Sequence, residues 1–251
     1  MTQTDPQEFR HASDQPAEPT RPAPPPAPAT RERPDFPTRV TKSLLGYGVI
    51  AGPIYVITGL VEALTRRGFS LAHDDLSILA NGSLGWIQST NLILTGAMSV
   101  AAAVGMRRVL RGAPGGSWGP ALLGLYGVGI AAAGVFRADP SNGFPPGTPA
   151  GKNPNVSWHG MLHFACGGIG FLGLIAACMV IARYFASRGQ RRLAMYSRVS
   201  GLLFLAGFIG IASGSSSAAV VVAFAVAVVI AWAWISTTSV YLYRHATDTQ
   251  P

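Results

Sequence analysis

Apolar and polar positions along this chain fall into long blocks. Six apolar stretches recur, at about 44–64, 85–106, 118–136, 158–182, 198–214 and 218–243. Each is close to the ~20 residues that an α-helix needs to cross ~30 Å of hydrocarbon. The pattern predicts an all-α protein, a polytopic integral membrane bundle of six transmembrane helices occupying residues 43–244. The fifth stretch is short and meets the sixth through Ser213–Ser217, a small-residue turn without charge that predicts a tight helical hairpin. Close glycines, such as Gly124, Gly127 and Gly129 or Gly167, Gly168, Gly170 and Gly173, let helices approach where no hydrophobic force drives them together. We read all of them as packing positions.

The flanks read differently. Residues 1–42 hold most of a proline-dense, mixed-charge segment: ten of the nineteen prolines lie before position 41. Such a composition predicts a disordered, Pro-rich cytoplasmic tail. It contains no short apolar core with a small-residue cleavage site, so it does not read as a signal peptide, and the first apolar stretch serves as the targeting signal. Residues 245–251 form a short second tail.

Charge then orients the bundle. Arg39, Lys42, Arg107, Arg108, Arg111, Arg183, Arg188, Arg191, Arg192, Arg198 and Arg244 flank one side, and only Arg66, Arg67, Arg137 and Lys152 the other. Basic residues concentrate on the cytoplasmic side of membrane proteins, so both termini are expected inside a plasma membrane. The net charge of +8 is thereby a topology signal, which argues against nucleic acid as a partner and leaves the lipid bilayer as the evident one. Cys166 and Cys178 lie twelve residues apart on one helix, about 18 Å by helical rise, too far to pair.

Only four acids, Glu62, Asp74, Asp75 and Asp139, occur between Ser43 and Arg244, and all fall on the predicted outer side. His73, His159 and His163 join them. Ionisable residues at membrane level are costly and call for a reason. His159 and His163, at i and i+4, share a helix face with Cβ atoms about 5–6 Å apart, a spacing that suits two imidazoles on one metal ion such as zinc. Gln88 and Asn91 add polar groups at the same depth. Three roles stay open for the histidine pair: a hydrogen-bonded polar cap, metal ligation with His73 as third ligand, or proton transfer. For the acids the structural alternatives are an N-cap by Asp74 or Asp75 of a short amphipathic helix, stopped by Asn81 and Gly82, and a turn at Asp139-Pro140. Ser157 is placed to cap the fourth span. The missing glutamate of H-E-x-x-H leaves zincin-type proteolysis unsupported, and ion-coupled transport is disfavoured because no span carries an ionisable residue at its middle. Trp86, Trp118 and Trp158 fall at span ends, as do Trp232, Trp234, Tyr241 and Tyr243; all read as interfacial belts.

The runs GFSLAHDDLSILANGSLGWIQSTN, GVFRADPSNGFPPGT and SWHGMLH resemble the uncharacterised bacterial six-helix membrane proteins grouped as domain-of-unknown-function family 998. The resemblance covers roughly Ser43 to Arg244 and implies the six-helix fold; it implies no activity. A looser likeness, of ligand types only, links the histidines, an aspartate and Ser77 to alkaline-ceramidase-like membrane hydrolases, whose span order differs. Two functions follow as expectations. One is a membrane component that binds a lipid-like ligand or a partner beneath an outward-facing His/Asp-rich pocket. The other is a metal-dependent hydrolase of a lipid-like amide or ester, with His73, His159 and His163 on zinc and Asp75 or Asp139 as general base.

Overall fold

A computed structural model describes residues 36–151, 155–215 and 217–246. The Pro-rich segment before Phe36 and the last five residues lie outside the described residues. Six α-helices make the body: α1 Phe36–Thr65, α2 Gly85–Val109, α3 Trp118–Val135, α4 Trp158–Ser187, α5 Arg191–Ala212 and α6 Ala218–Arg244. All six are long and apolar enough to cross a membrane. A short 3-10 helix, Leu76–Ala80, interrupts the α1–α2 connection, and among the described residues there is no strand beyond one isolated bridge at Ser141 and Phe144. Each helix packs against its neighbours in sequence, and α6 returns to α1, so the bundle closes into a ring.

Three helix ends run past the apolar stretches. The first helix starts at Phe36 rather than near 44, the fourth continues to Ser187, and the fifth begins at Arg191 rather than 198. An apolar window measures the hydrocarbon thickness, whereas the helix propagates for as long as its backbone bonds close. Arginine is a good helix former, so basic flanks extend the helices instead of ending them. The fifth and sixth helices do meet in a short turn, and Ser217 caps the sixth by accepting from the Val220 N–H at 3.4 Å.

Glycine pairs set the closest approaches. A Cβ added to Gly127 would stand 2.6 Å from the Gly96 carbonyl oxygen, and one on Gly129 would stand 2.6 Å from that of Cys166. Backbone therefore lies against backbone at α2–α3 and at α3–α4. Gly167 departs from the packing expectation: a Cβ there meets nothing within 4 Å. The last-helix tryptophans also correct the belt reading. Trp232 and Trp234 are 1% and 0% exposed, with the Trp234 indole N–H donating to Ser197 Oγ at 2.9 Å. Two residues apart, they lie on different sides of α6. Trp232 stands against Tyr55 and Tyr126 of α1 and α3, Trp234 against Ser197 of α5, and sequence position alone does not reveal these partners. Trp86, Trp118 and Trp158, by contrast, are exposed at helix ends.

These contacts generate a paired prediction. Gly129→Ala should lower the melting temperature of the detergent-purified protein, because overpacking costs about 1–3 kcal/mol. Gly167→Ala should leave it unchanged or raise it, since alanine in a helix gains up to about 1 kcal/mol over glycine. Scanning fluorimetry of the two variants checks both signs.

Candidate functional site

The α1–α2 and α3–α4 connections fold over one end of the ring as a cap with its own apolar centre of Ala63, Ile78, Leu79, Ala138 and Phe144. Arg66, one residue beyond α1, holds this cap together. Its side chain is 9% exposed and faces Glu62, 5% exposed, with Nη1 to Oε1 at 3.3 Å. The guanidinium also donates to the Leu79 carbonyl and, at 2.6 Å, to the Asn81 carbonyl. It lies over the Phe144 ring at 4.9 Å. Carbonyls at a helix C-terminus have no partner within the helix, and here a buried cation supplies one. Gly82 then adopts φ +76°, and a Cβ there would stand 3.0 Å from Arg66 Nη2.

Asparagines stitch the two connections together. Asn81 Nδ2 donates to Ile78 O at 3.1 Å and to Ala138 O at 3.0 Å, and Asn142 Nδ2 donates to His73 O at 3.0 Å. Neither acid forms the expected N-cap: Asp75 stands at the cap position of the 3-10 helix without a side-chain cap bond, while Asp74 Oδ2 accepts from the Ser70 N–H at 2.7 Å. Asp74 is buried, and that burial pushes its carboxyl above the usual range. Asp139 accepts from the Ser157 N–H at 2.8 Å and from its hydroxyl at 2.5 Å. Ser157 in turn caps α4 by accepting from Gly160 N at 3.1 Å. The carboxylate so held sits where a helix N-terminus favours negative charge, and Gly160 is needed because a Cβ there would meet Asp139 Oδ2 at 2.2 Å. On α2, Gln88 Nε2 donates to Leu76 O at 3.2 Å. Asn91 Nδ2 donates to Tyr55 O at 3.2 Å and to Gln88 Oε1 at 3.0 Å.

The three histidines part company. His73 is exposed, 3.2 Å from Ser70 Oγ through Nδ1. His159 is exposed and lies against the Trp158 ring, with centroids 3.6 Å apart. His163 is buried, and its Nδ1 lies 2.9 Å from the carbonyls of both Ala133 and Phe136 at the end of α3. Both partners are acceptors, so Nδ1 carries a proton and donates to them. Among the described residues no three His, Cys, Asp or Glu side chains come together as a metal site. The expected zinc set of His73, His159 and His163 is therefore not assembled. The i, i+4 spacing aligns a face, but the C-terminal carbonyls of α3 engage one ring and Trp158 the other. Cys166 and Cys178 are both free.

Beneath the cap lies a small cavity of about 100 Å³, below the ~300–1,000 Å³ of typical ligand pockets. Asp75, Ser77 and His163 stand at its polar end, and every helix of the ring contributes to its wall. Phe171, Phe204, Phe208 and Phe224 make the apolar side. Phe164 is both a wall residue and 60% exposed, which puts the mouth beside it on α4. Gly167 leaves the wall open where any side chain would fill it. At the far end Trp232 stacks on Tyr55 at 5.0 Å between centroids and meets Tyr126 edge-on at 5.6 Å. Of the polar residues expected to line a pocket, Asp75 and His163 border this cavity; Glu62, Asp74, Gln88, Asn91, Asp139, His73 and His159 belong to the cap and its supports.

A family model described as "Protein of unknown function (DUF998)" matches residues 49–241. The chain belongs to this family. No curated protein and no solved structure matches it. The matched stretch takes in both cap connections and every helix of the ring, so cap and cavity both lie within the DUF998 region.

Sequence reasoning read Asn81 only as a helix stop, which it is, and missed the roles of Arg66 and Phe144 in the cap and of Tyr55, Tyr126, Trp232 and Gly167 in the cavity. The Glu62–Arg66 spacing of i, i+4 is a readable ion-pair signal; the aromatic trio, drawn from three helices, has none.

Two variants test the cap. Arg66→Ala strands Glu62 and two carbonyls, and breaking a buried pair costs about 3–5 kcal/mol. Unfolding titrations should show a large loss, with the Glu62→Ala/Arg66→Ala double variant losing much less than the two single variants summed. Asp74→Asn keeps an acceptor for Ser70 and removes the charge. Because the folded carboxyl holds its proton more tightly than the unfolded one (about 3.9), wild-type stability falls as pH rises from there through the raised folded value, then levels off. The asparagine variant should lack this component, so melting curves across acidic pH should converge at low pH and separate as pH rises, the variant being the more stable.

Proposed function

We propose that this DUF998 protein is a non-catalytic component of the plasma membrane that holds a lipid-like molecule in the cavity under the cap. Both termini face the cytoplasm and the cap faces outward, in keeping with the eleven-to-four distribution of basic flanking residues. The observation that carries the reading is the open wall at Gly167, whereas Gly127 and Gly129 are pressed against the backbone of the neighbouring helices. Close packing is the norm in protein interiors, so an apolar space lined by aromatics invites an apolar occupant. The acids and amides of the cap support the same reading from the other side. Asp74, Asp139, Gln88 and Asn91 are engaged in hydrogen bonds that position loops and helix ends.

Lipids extracted from the purified wild type and from Gly167→Leu decide the matter by mass spectrometry. The wild type should retain one lipid class above its share of the membrane, and the leucine variant, folded to the same melting temperature, should lose it. Identical lipid profiles would sink the proposal.

A second reading, hydrolysis of a lipid-like amide or ester, draws on one observation: Asp75, Ser77 and His163 border the same cavity. In its zinc form His73, His159 and His163 would converge on the metal, with Asp75 or Asp139 as base. Elemental analysis of the protein purified without chelator, beside His159→Ala/His163→Ala, separates the readings. We expect no stoichiometric zinc, iron or manganese in either; a full equivalent lost only in the double variant would favour the hydrolase.

A further inference from the structure

The end of the bundle opposite the cap is basic and has no counter-charge of its own. Among the described residues the acids are Glu62, Asp74, Asp75 and Asp139, all at the cap end, and the one ion pair, Glu62 with Arg66, lies there too. The α2–α3 and α4–α5 turns at the other end carry arginines and no acid.

Two of these arginines meet on one surface. Gly201 of α5 lies against α4: a Cβ there would stand 2.8 Å from both Cys178 Cβ and Met179 Cε. Arg198 precedes Gly201 by three residues and Arg183 follows Met179 by four, so each shares the helix face that makes the contact. The two helices form an antiparallel hairpin. From the contact, both steps therefore lead toward the basic end, by about 4.5 and 6 Å of helical rise. Arg183 and Arg198 thus stand at one level beside the α4–α5 seam. Both are exposed, and neither has a hydrogen bond or ion pair among the described residues.

The surface around Arg198 is apolar. Met195 and Leu202, a turn to either side on its own face, are 65% and 57% exposed, and α5 carries no charge from Val199 to Ala212. Such a face looks at lipid. A charge set among lipid-facing residues is costly unless its head reaches a partner at the interface. Arginine's planar fork takes phosphate through paired N–H bonds, and two forks at one level suit a single phosphate.

Beyond the cavity reading, and independent of it, we infer that this seam binds a phospholipid of net negative charge. Its phosphate lies between Arg183 and Arg198, and its chains run along the apolar face of α5. A lipid fits better than a soluble polyanion because Met195, Val199 and Leu202 border Arg198. A zwitterionic lipid brings the same phosphate with a cation beside it, which two guanidiniums disfavour.

The test uses the full chain in detergent with dioleoyl phosphatidylglycerol or dioleoyl phosphatidylcholine added, and counts bound lipid by native mass spectrometry. The wild type should hold one phosphatidylglycerol about tenfold more tightly than phosphatidylcholine, the scale of one charge-assisted hydrogen bond. Arg183→Gln/Arg198→Gln should abolish the preference without moving the melting temperature. Arg108→Gln/Arg111→Gln removes as much charge from the same end and should keep it. Equal loss in both double variants makes the attraction diffuse and overturns the site. Equal binding of the two lipids by the wild type overturns the proposal without any variant. Displacement of phosphatidylglycerol by equimolar inorganic phosphate or polyglutamate overturns the lipid as occupant. Should the glutamine variant fail to fold, Arg183→Lys/Arg198→Lys keeps the charge and loses both forks; undiminished preference there overturns the paired-arginine site.

Discussion

A guanidinium that has left water must find acceptors for all of its N–H groups, and in this protein that requirement organises the end of the bundle. Arg66 meets it with Glu62, with the carbonyls of Leu79 and Asn81, and with the face of Phe144. Glu62 belongs to α1, the two carbonyls to the first connection and Phe144 to the second. Satisfying one cation therefore brings three separate pieces of chain into register. The Asn81 amide completes the join by reaching Ala138 at the exit of α3. Without this arrangement the two long connections would have little apolar area to bury, since their shared centre is small.

Below the cap a different rule applies. Water is scarce among membrane helices, so polar side chains bond to whichever carbonyl lies within reach. Thr95 and Ser99 return to the turn before them at 2.6 and 2.8 Å, Asn91 crosses to α1, and His163 closes on the exposed carbonyl end of α3. Each bond is worth about 1 kcal/mol in such settings. Together they hold the upper ring rigid around a space that the side chains do not fill. Rigid walls and an unfilled interior are compatible because the glycine contacts at Gly96–Gly127 and Gly129–Gly170 lock α2, α3 and α4 on the other side of α3. Gly167, one helical turn before Gly170, faces the void instead. Neighbouring glycines of one stripe thus do opposite things: one removes space between helices and the other provides it.

Length, apolarity and basic flanks made the six-helix bundle legible directly, because hydrocarbon thickness and backbone satisfaction act on each span independently of the others. Local capping was equally readable: Ser157 needs only its own next turn to cap α4, and Gly82 only its own φ to stop the 3-10 helix. His159 and His163 were legible as a pair on one face, but which partners that face would meet depended on where α3 ends. Trp232 looked like a membrane-interface residue by its place near a span end. Its burial follows from the return of α6 to α1, a contact between residues nearly two hundred positions apart.

Sequence alone, then, determined that this chain has six helices able to span a membrane and gathers the four acids and three histidines of residues 43–244 at one end, since both follow from the free energy of moving single residues between water and lipid. Tertiary structure alone decided that those polar groups serve one another as a cap, and that Tyr55, Tyr126 and Trp232 meet deeper, at the floor of one cavity. Three residues from α1, α3 and α6 share that floor only because the ring closes. Such convergence depends on how helices rotate and pack against one another, which no single segment specifies.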